Sequence, residues 1–84
     1  MKQVLIKPGR YPFEKTIKIP STDMYLIGES SAILIPTTGI LPIEGLGNED
    51  ILCVNCSYLL ANRVVSNTIL ITIKCPSCGI INRF

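Results

Sequence analysis

Two Cys-x-x-Cys pairs, Cys53-Val54-Asn55-Cys56 and Cys75-Pro76-Ser77-Cys78, constrain this chain more than any other feature in it. They account for all four of its cysteines, and eighteen residues (57–74) separate them. Each such turn aims two thiols and several backbone amides at one point. Two turns at this separation can close on a single tetrahedral ion. An 84-residue chain buries a modest share of its surface and needs a staple of this kind. Whatever fold forms must therefore bring residues 53–56 and 75–78 together.

Zinc suits the site best. It favours soft anionic sulfur, has no geometric demand of its own, and four thiolates fill its tetrahedron. Pro76 fixes the backbone of the second turn, and Gly79 permits the left-handed conformation that lets amides approach sulfur. Ser57 holds the equivalent place after the first pair. Two alternatives stay open. Four cysteines also hold iron, as a single ion or in an iron–sulfur cluster, which would make this an electron-transfer protein or a small subunit of a redox enzyme. Disulfides are the other, in an oxidising compartment. With all four ligands supplied by protein the site is closed, which points to a structural role and not a catalytic one. The chain has no histidine, and its acids are scattered among turns, so no catalytic residues are assigned.

Composition narrows the class. Hydrophobic residues make up 48% and charged residues 17%, which is a folded composition and not a disordered one. The longest apolar runs, such as Ala32-Ile33-Leu34-Ile35, are far too short to span a bilayer. Met1-Lys2-Gln3 opens no secretory signal, so the expected compartment is the reducing cytoplasm. Residues 1–50 carry five bases against six acids, and residues 51–84 carry Arg63, Lys74 and Arg83 with no acid. Four thiolates on a divalent ion subtract two charges, leaving the second part at only about +1 when metallated.

Pro and Gly punctuate every stretch, and short β-branched runs lie between them. The expected fold is all-β, with strands at 3–6, 16–19, 25–27, 32–35, 52–54, 59–61 and 68–74. The Gly-rich, acidic stretch 45–50 reads as a linker or long turn. It divides an N-terminal β segment, 1–47, from a cysteine-bearing zinc-ribbon module, 48–84. Within that module the segments 59–61 and 68–74 are expected to form a hairpin turning at Ser66-Asn67.

The N-terminal half contains a candidate repeat. Residues 19–27, beginning Ile19-Pro20-Ser21-Thr22, align with residues 35–43, beginning Ile35-Pro36-Thr37-Thr38, at an offset of sixteen. The run Ile6-Lys7-Pro8-Gly9-Arg10-Tyr11, then Thr16-Ile17-Lys18-Ile19-Pro20 and Tyr25-Leu26-Ile27-Gly28, resembles the opening coils of right-handed parallel β-helix proteins. The competing arrangement is an antiparallel meander. The meander is the expected one, because two coils cannot bury their own ends.

The C-terminal part, about residues 51–84, resembles the Com-type zinc fingers. The resemblance lies in the four cysteines, the Leu59-Leu60-Ala61 run, the Ile73-Lys74-Cys75-Pro76 approach and the Gly79 to Asn82 exit. Proteins of that family are small phage and prophage translational regulators that bind an mRNA. The resemblance implies that Cys53, Cys56, Cys75 and Cys78 hold one zinc ion and that basic positions near the second knuckle face RNA. Arg63, Lys74, Asn82 and Arg83 are then the nucleic-acid contacts, with Tyr58 or Phe84 as a stacking face. A second expectation is a non-enzymatic module that docks on a protein partner or self-associates, since the apolar content exceeds what one small core hides. No membrane partner and no small-molecule substrate are indicated.

Overall fold

The computed structural model describes residues 2–84. Among them there are eleven strands and no helix, so no helix is long and apolar enough to cross a membrane. The strands are β1 (Lys2–Ile6), β2 (Gly9–Phe13), β3 (Ile17–Lys18), β4 (Met24–Gly28), β5 (Ala32–Pro36), β6 (Ile43–Glu44), β7 (Glu49–Leu52), β8 (Leu59–Val64), β9 (Ile69–Leu70), β10 (Thr72–Lys74) and β11 (Ile81–Arg83).

Their pairing follows one rule. β1, β4 and β9 form a parallel first face; β2, β5 and β10 form a parallel second face; β3, β6 and β8 form a parallel third face. The chain visits the faces in rotation and returns to each one layer further on. This is a short three-sided parallel β-solenoid. Two antiparallel strands complete it at the far end: β7 beside β8, and β11 beside β10.

The expected antiparallel meander is thus corrected. The objection to coils was that two cannot bury their ends. It is met because residues from the cysteine-bearing half supply the third coil and its cover. The sixteen-residue repeat is also corrected. Register partners lie 22 apart on the first face (Lys2 and Met24), 23 on the second (Gly9 and Ala32) and 26 on the third (Ile17 and Ile43). The sixteen-residue alignment matches turn chemistry at two different corners, not successive coils.

Side chains alternate in and out along the regular strands, most clearly in β5. The inward ones stack in three ladders: Val4–Leu26–Ile69, Tyr11–Leu34–Ile73 and Ile17–Ile43–Ala61. Ile43, Ala61 and Ile73 are completely buried, and Leu26, Leu34 and Ile69 nearly so. The ladders run across the expected division at 47–48: β8, β9 and β10 complete all three faces begun by residues 2–44. The expected hairpin of 59–61 with 68–74 does not form, because β8 and β9–β10 belong to different faces. The Ser66-Asn67 turn is a corner of the coil.

The stretch 45–50 is a packed crossing, not a linker. Gly45 and Gly47 donate to the Asn62 and Arg63 carbonyls at 2.9 and 2.7 Å, and Asp50 accepts from the Arg63 amide at 3.1 Å. A Cβ on Gly45 would stand 2.5 Å from the Arg63 carbonyl oxygen, and one on Gly47 would stand 2.5 Å from Val64 backbone atoms. Backbone cannot yield as a side-chain tip does, so these positions exclude any larger residue. Gly47→Ala is expected to lower unfolding free energy by about 1–3 kcal/mol, the usual range for overpacking. Denaturant melts check this, and an unchanged midpoint would show that the crossing is loose.

Candidate metal centre

Each cysteine pair sits at the tip of an antiparallel hairpin, Cys53–Cys56 between β7 and β8 and Cys75–Cys78 between β10 and β11. The two tips share one backbone pattern. The amide of Ser57 donates to the Cys53 carbonyl and that of Gly79 to the Cys75 carbonyl, each at 3.0 Å. The Cys53 amide donates to the Tyr58 carbonyl and the Cys75 amide to the Ile80 carbonyl, each at 2.9 Å. Both turns need a left-handed residue just after the second cysteine. Gly79 has φ of 82° and Ser57 has φ of 63°. Glycine accepts that conformation freely, while serine carries a modest steric cost.

The hairpins lie side by side because β8 and β10 are held in neighbouring faces of the same coil. All four sulfurs fall within 4.8 Å of one another. Two approaches run between the hairpins, Cys53 to Cys78 and Cys56 to Cys75, each 3.6 Å. A disulfide needs about 2.05 Å, so these are free thiols. A tetrahedral centre with metal–sulfur bonds of about 2.3 Å has sulfurs about 3.8 Å apart, which the cluster brackets. The donor set therefore fits a metal ion. Cys53 and Cys75 face the protein and are buried, while Cys56 and Cys78 face solvent.

Two of the thiols, Cys53 and Cys78, are electrostatically prepared for a cation. The backbone amide of Cys56, aided by that of Asn55 and by Asn82 and Cys78, lowers the Cys53 thiol to about 6 against the cost of burial. The Ile80 amide, followed by the Asn55 side chain, lowers Cys78. Cys56 goes the other way. The Tyr58 amide favours its thiolate, but burial and the three neighbouring sulfurs together outweigh that amide and raise the thiol to about 11. A cation among the four sulfurs would favour the thiolate at each.

Asn82 belongs to this centre and not to a nucleic-acid surface. It is only 2% exposed. Its Nδ2 donates to the Cys53 sulfur at 3.5 Å and to the Ile80 carbonyl at 3.2 Å, and its Oδ1 accepts from the Val54 amide at 3.1 Å. A single amide thus bridges the tips of both hairpins. Sequence reasoning singles out the position and gives it the wrong task; an Asn four residues past the last cysteine carries no signal of burial.

The other expected nucleic-acid contacts are divided. Lys74 and Arg83 are exposed on the outer side of the second face, where Arg83 stands opposite Thr72. Arg63 is exposed on β8, in the third face. Tyr58 and Phe84 are partly buried against the core, and the Tyr58 hydroxyl donates to the Ile40 carbonyl at 2.5 Å. Neither ring is a free stacking platform. Comparison with family models, with curated proteins and with solved structures finds no match for this chain.

Outer partners that orient a ligand commonly contribute 10–100-fold to metal affinity. Asn82→Leu is expected to weaken metal binding by about that factor, whereas Arg83→Gln leaves it unchanged. Competition with a chromophoric chelator measures both. Equal affinity in the two variants would remove Asn82 from the centre.

Proposed function

We propose that this protein is a non-enzymatic interaction module: a three-coil β-solenoid closed at one end by a structural four-cysteine zinc centre and engaging a protein partner elsewhere. The observation that carries this reading is the position of the four sulfurs. They sit at the tips of the two hairpins that cover the last coil, so one ion pins both covers together. Two Cys-x-x-Cys tips on adjacent antiparallel hairpins have the layout of a zinc ribbon, here fused to coils that share its strands. Four thiolates leave no coordination position for water or substrate, which supports a structural role. Four thiolates suit zinc and iron alike; zinc is favoured because the chain has no Trp and its cysteine-bearing part has only Tyr58 and Phe84 as aromatics.

RNA-binding regulation, the role implied by the resemblance to Com-type fingers, has one supporting observation. Arg10, Lys74 and Arg83 are all exposed on strands of the second face, β2, β10 and β11, with no acid on those strands. It predicts affinity for single-stranded RNA that falls steeply with salt.

Elemental analysis of purified protein is expected to give one zinc per chain with no visible absorption. Iron with visible bands would replace this reading with electron transfer. Cys75→Ser is expected to lose the metal and cost several kcal/mol of stability, because metal binding in such centres is folding free energy. A Cys75→Ser protein with full metal content and an unchanged melt would refute the structural role.

A further inference from the structure

The two ends of the solenoid differ. At the last coil the hairpins cover the ladders. At the first coil nothing among the described residues does so. Val4 is 42% exposed where Leu26, its neighbour in the same ladder, is 5% exposed. Tyr11 and Ile17 are half-buried where Leu34 and Ile43, one layer in, are buried. The result is an apolar mouth of about 480 Å³, lined chiefly by Leu5, Ile6, Tyr11, Phe13, Ile17 and Leu34. Leu5 at its rim is 62% exposed. β1, β2 and β3 are each the outermost strand of their face. The mouth is therefore bordered by three strand edges, the geometry to which an added strand pairs.

Charge says which strand. The first coil, residues 1–20, carries Lys2, Lys7, Arg10, Lys15 and Lys18 against Glu14 alone, a net +4. The coil that follows, residues 21–48, carries Asp23, Glu29 and Glu44 with no base, a net −3. The layers are thus banded, and the first coil already stacks on an acidic neighbour: Lys18 stands opposite Glu44 across the β3–β6 ladder. On its outer side the same basic coil has no counterpart among the described residues. A second copy docked mouth to mouth would set +4 against +4, and like charges across a strand pair are unfavourable.

We propose that the open first coil is the docking site for an extended, acidic, apolar-alternating strand of a protein partner, which pairs with one of these edges and fills the mouth. This rests on the interaction-module reading and gives it a surface and a partner chemistry. The partner strand inserts alternate apolar side chains above Tyr11, Phe13 and Ile17, and its intervening acids meet Lys7, Arg10 and Lys15 at the rim.

The test uses the full, zinc-loaded, ¹⁵N-labelled chain and two peptide probes of equal length, one alternating valine with glutamate and the other valine with lysine. The expected result is amide shift changes confined to residues 3–18 with the acidic peptide only. The double variant Lys7→Glu/Arg10→Glu is expected to weaken that binding about tenfold or more, with metal content and melting unchanged. Equal binding of both peptides, changes mapping to β10 and β11, or no change with the acidic peptide at millimolar concentration each overturns the proposal. So does a dimer in light scattering whose interface is the first coil, or a single-stranded RNA that produces the same shifts. Absence of zinc from the wild-type chain would instead defeat the underlying module reading, so the two failures are separable.

Discussion

A stack of β coils has ends, and the ends govern everything else in this molecule. Between coils, each inward side chain is covered by the one above and the one below, and each backbone group finds a partner in the next layer. A terminal layer loses half of both. With only three layers, two of the three are terminal, so the interior of the stack is essentially the β4–β5–β6 coil. The largest completely buried side chains accordingly lie in this coil or the next, at Pro42, Ile43, Leu60, Ile73 and Cys75. None belongs to the first coil. Such an array is stabilised by nearest-neighbour interfaces, and a repeat with one neighbour is weaker than a repeat with two.

At the far end two short hairpins close the stack, and their tips meet at the four sulfurs. One ion held there would pin both tips together without adding a core. The cap is anchored backwards as well. The Thr38 hydroxyl donates to the Pro76 carbonyl at 3.0 Å, and Tyr58 reaches the Ile40 carbonyl, so both knuckles are tied to the corner between β5 and β6. Phe84 packs against the core, its amide bonded to the Ile71 carbonyl at 3.3 Å. Asn82 adds a donor to the Cys53 sulfur and accepts from the Val54 amide, which ties β11 to the first knuckle.

Much of this is legible in the sequence, and the parts that are not share a cause. The sulfur cluster can be read from spacing alone, because Cys-x-x-Cys turns are local and zinc chemistry is stereotyped. The all-β class follows from β-branched runs broken by Pro and Gly. Connectivity does not follow. Whether β8 returns beside β10 or turns a corner depends on partners far along the chain, and Ser66-Asn67 serves either geometry. β2 escapes a sequence reading because Pro12 and Gly9 look like turn chemistry; a proline is tolerated there because β2 is the outermost strand of its face. β7 begins before the expected strand at 52–54, since the apolar Leu52-Cys53-Val54 run looks like a strand, whereas Val54 belongs to the knuckle and is 83% exposed. Gly45 and Gly47 read as a linker because the sequence does not show the backbone of β8 pressing on them.

The asymmetry of the ends also orders the energetics of the stack. A metal held by the four sulfurs would act directly on β8 and β10, the strands that carry the knuckles, and so on the third coil. It would reach the first coil only through Leu26, Leu34 and Ile43 in the layer between. In a chain of nearest-neighbour interfaces that transmission is partial, so the first coil would stay the least stable layer even with the far end locked. Its half-exposed side chains are what a terminal layer must show when only one side of it is covered. Covering the other side would convert it from a one-neighbour layer to a two-neighbour layer, with a gain that does not depend on the metal site being adjacent. A metal at one end and a strand at the other would therefore support the same three ladders from opposite directions, with the middle coil bearing on both.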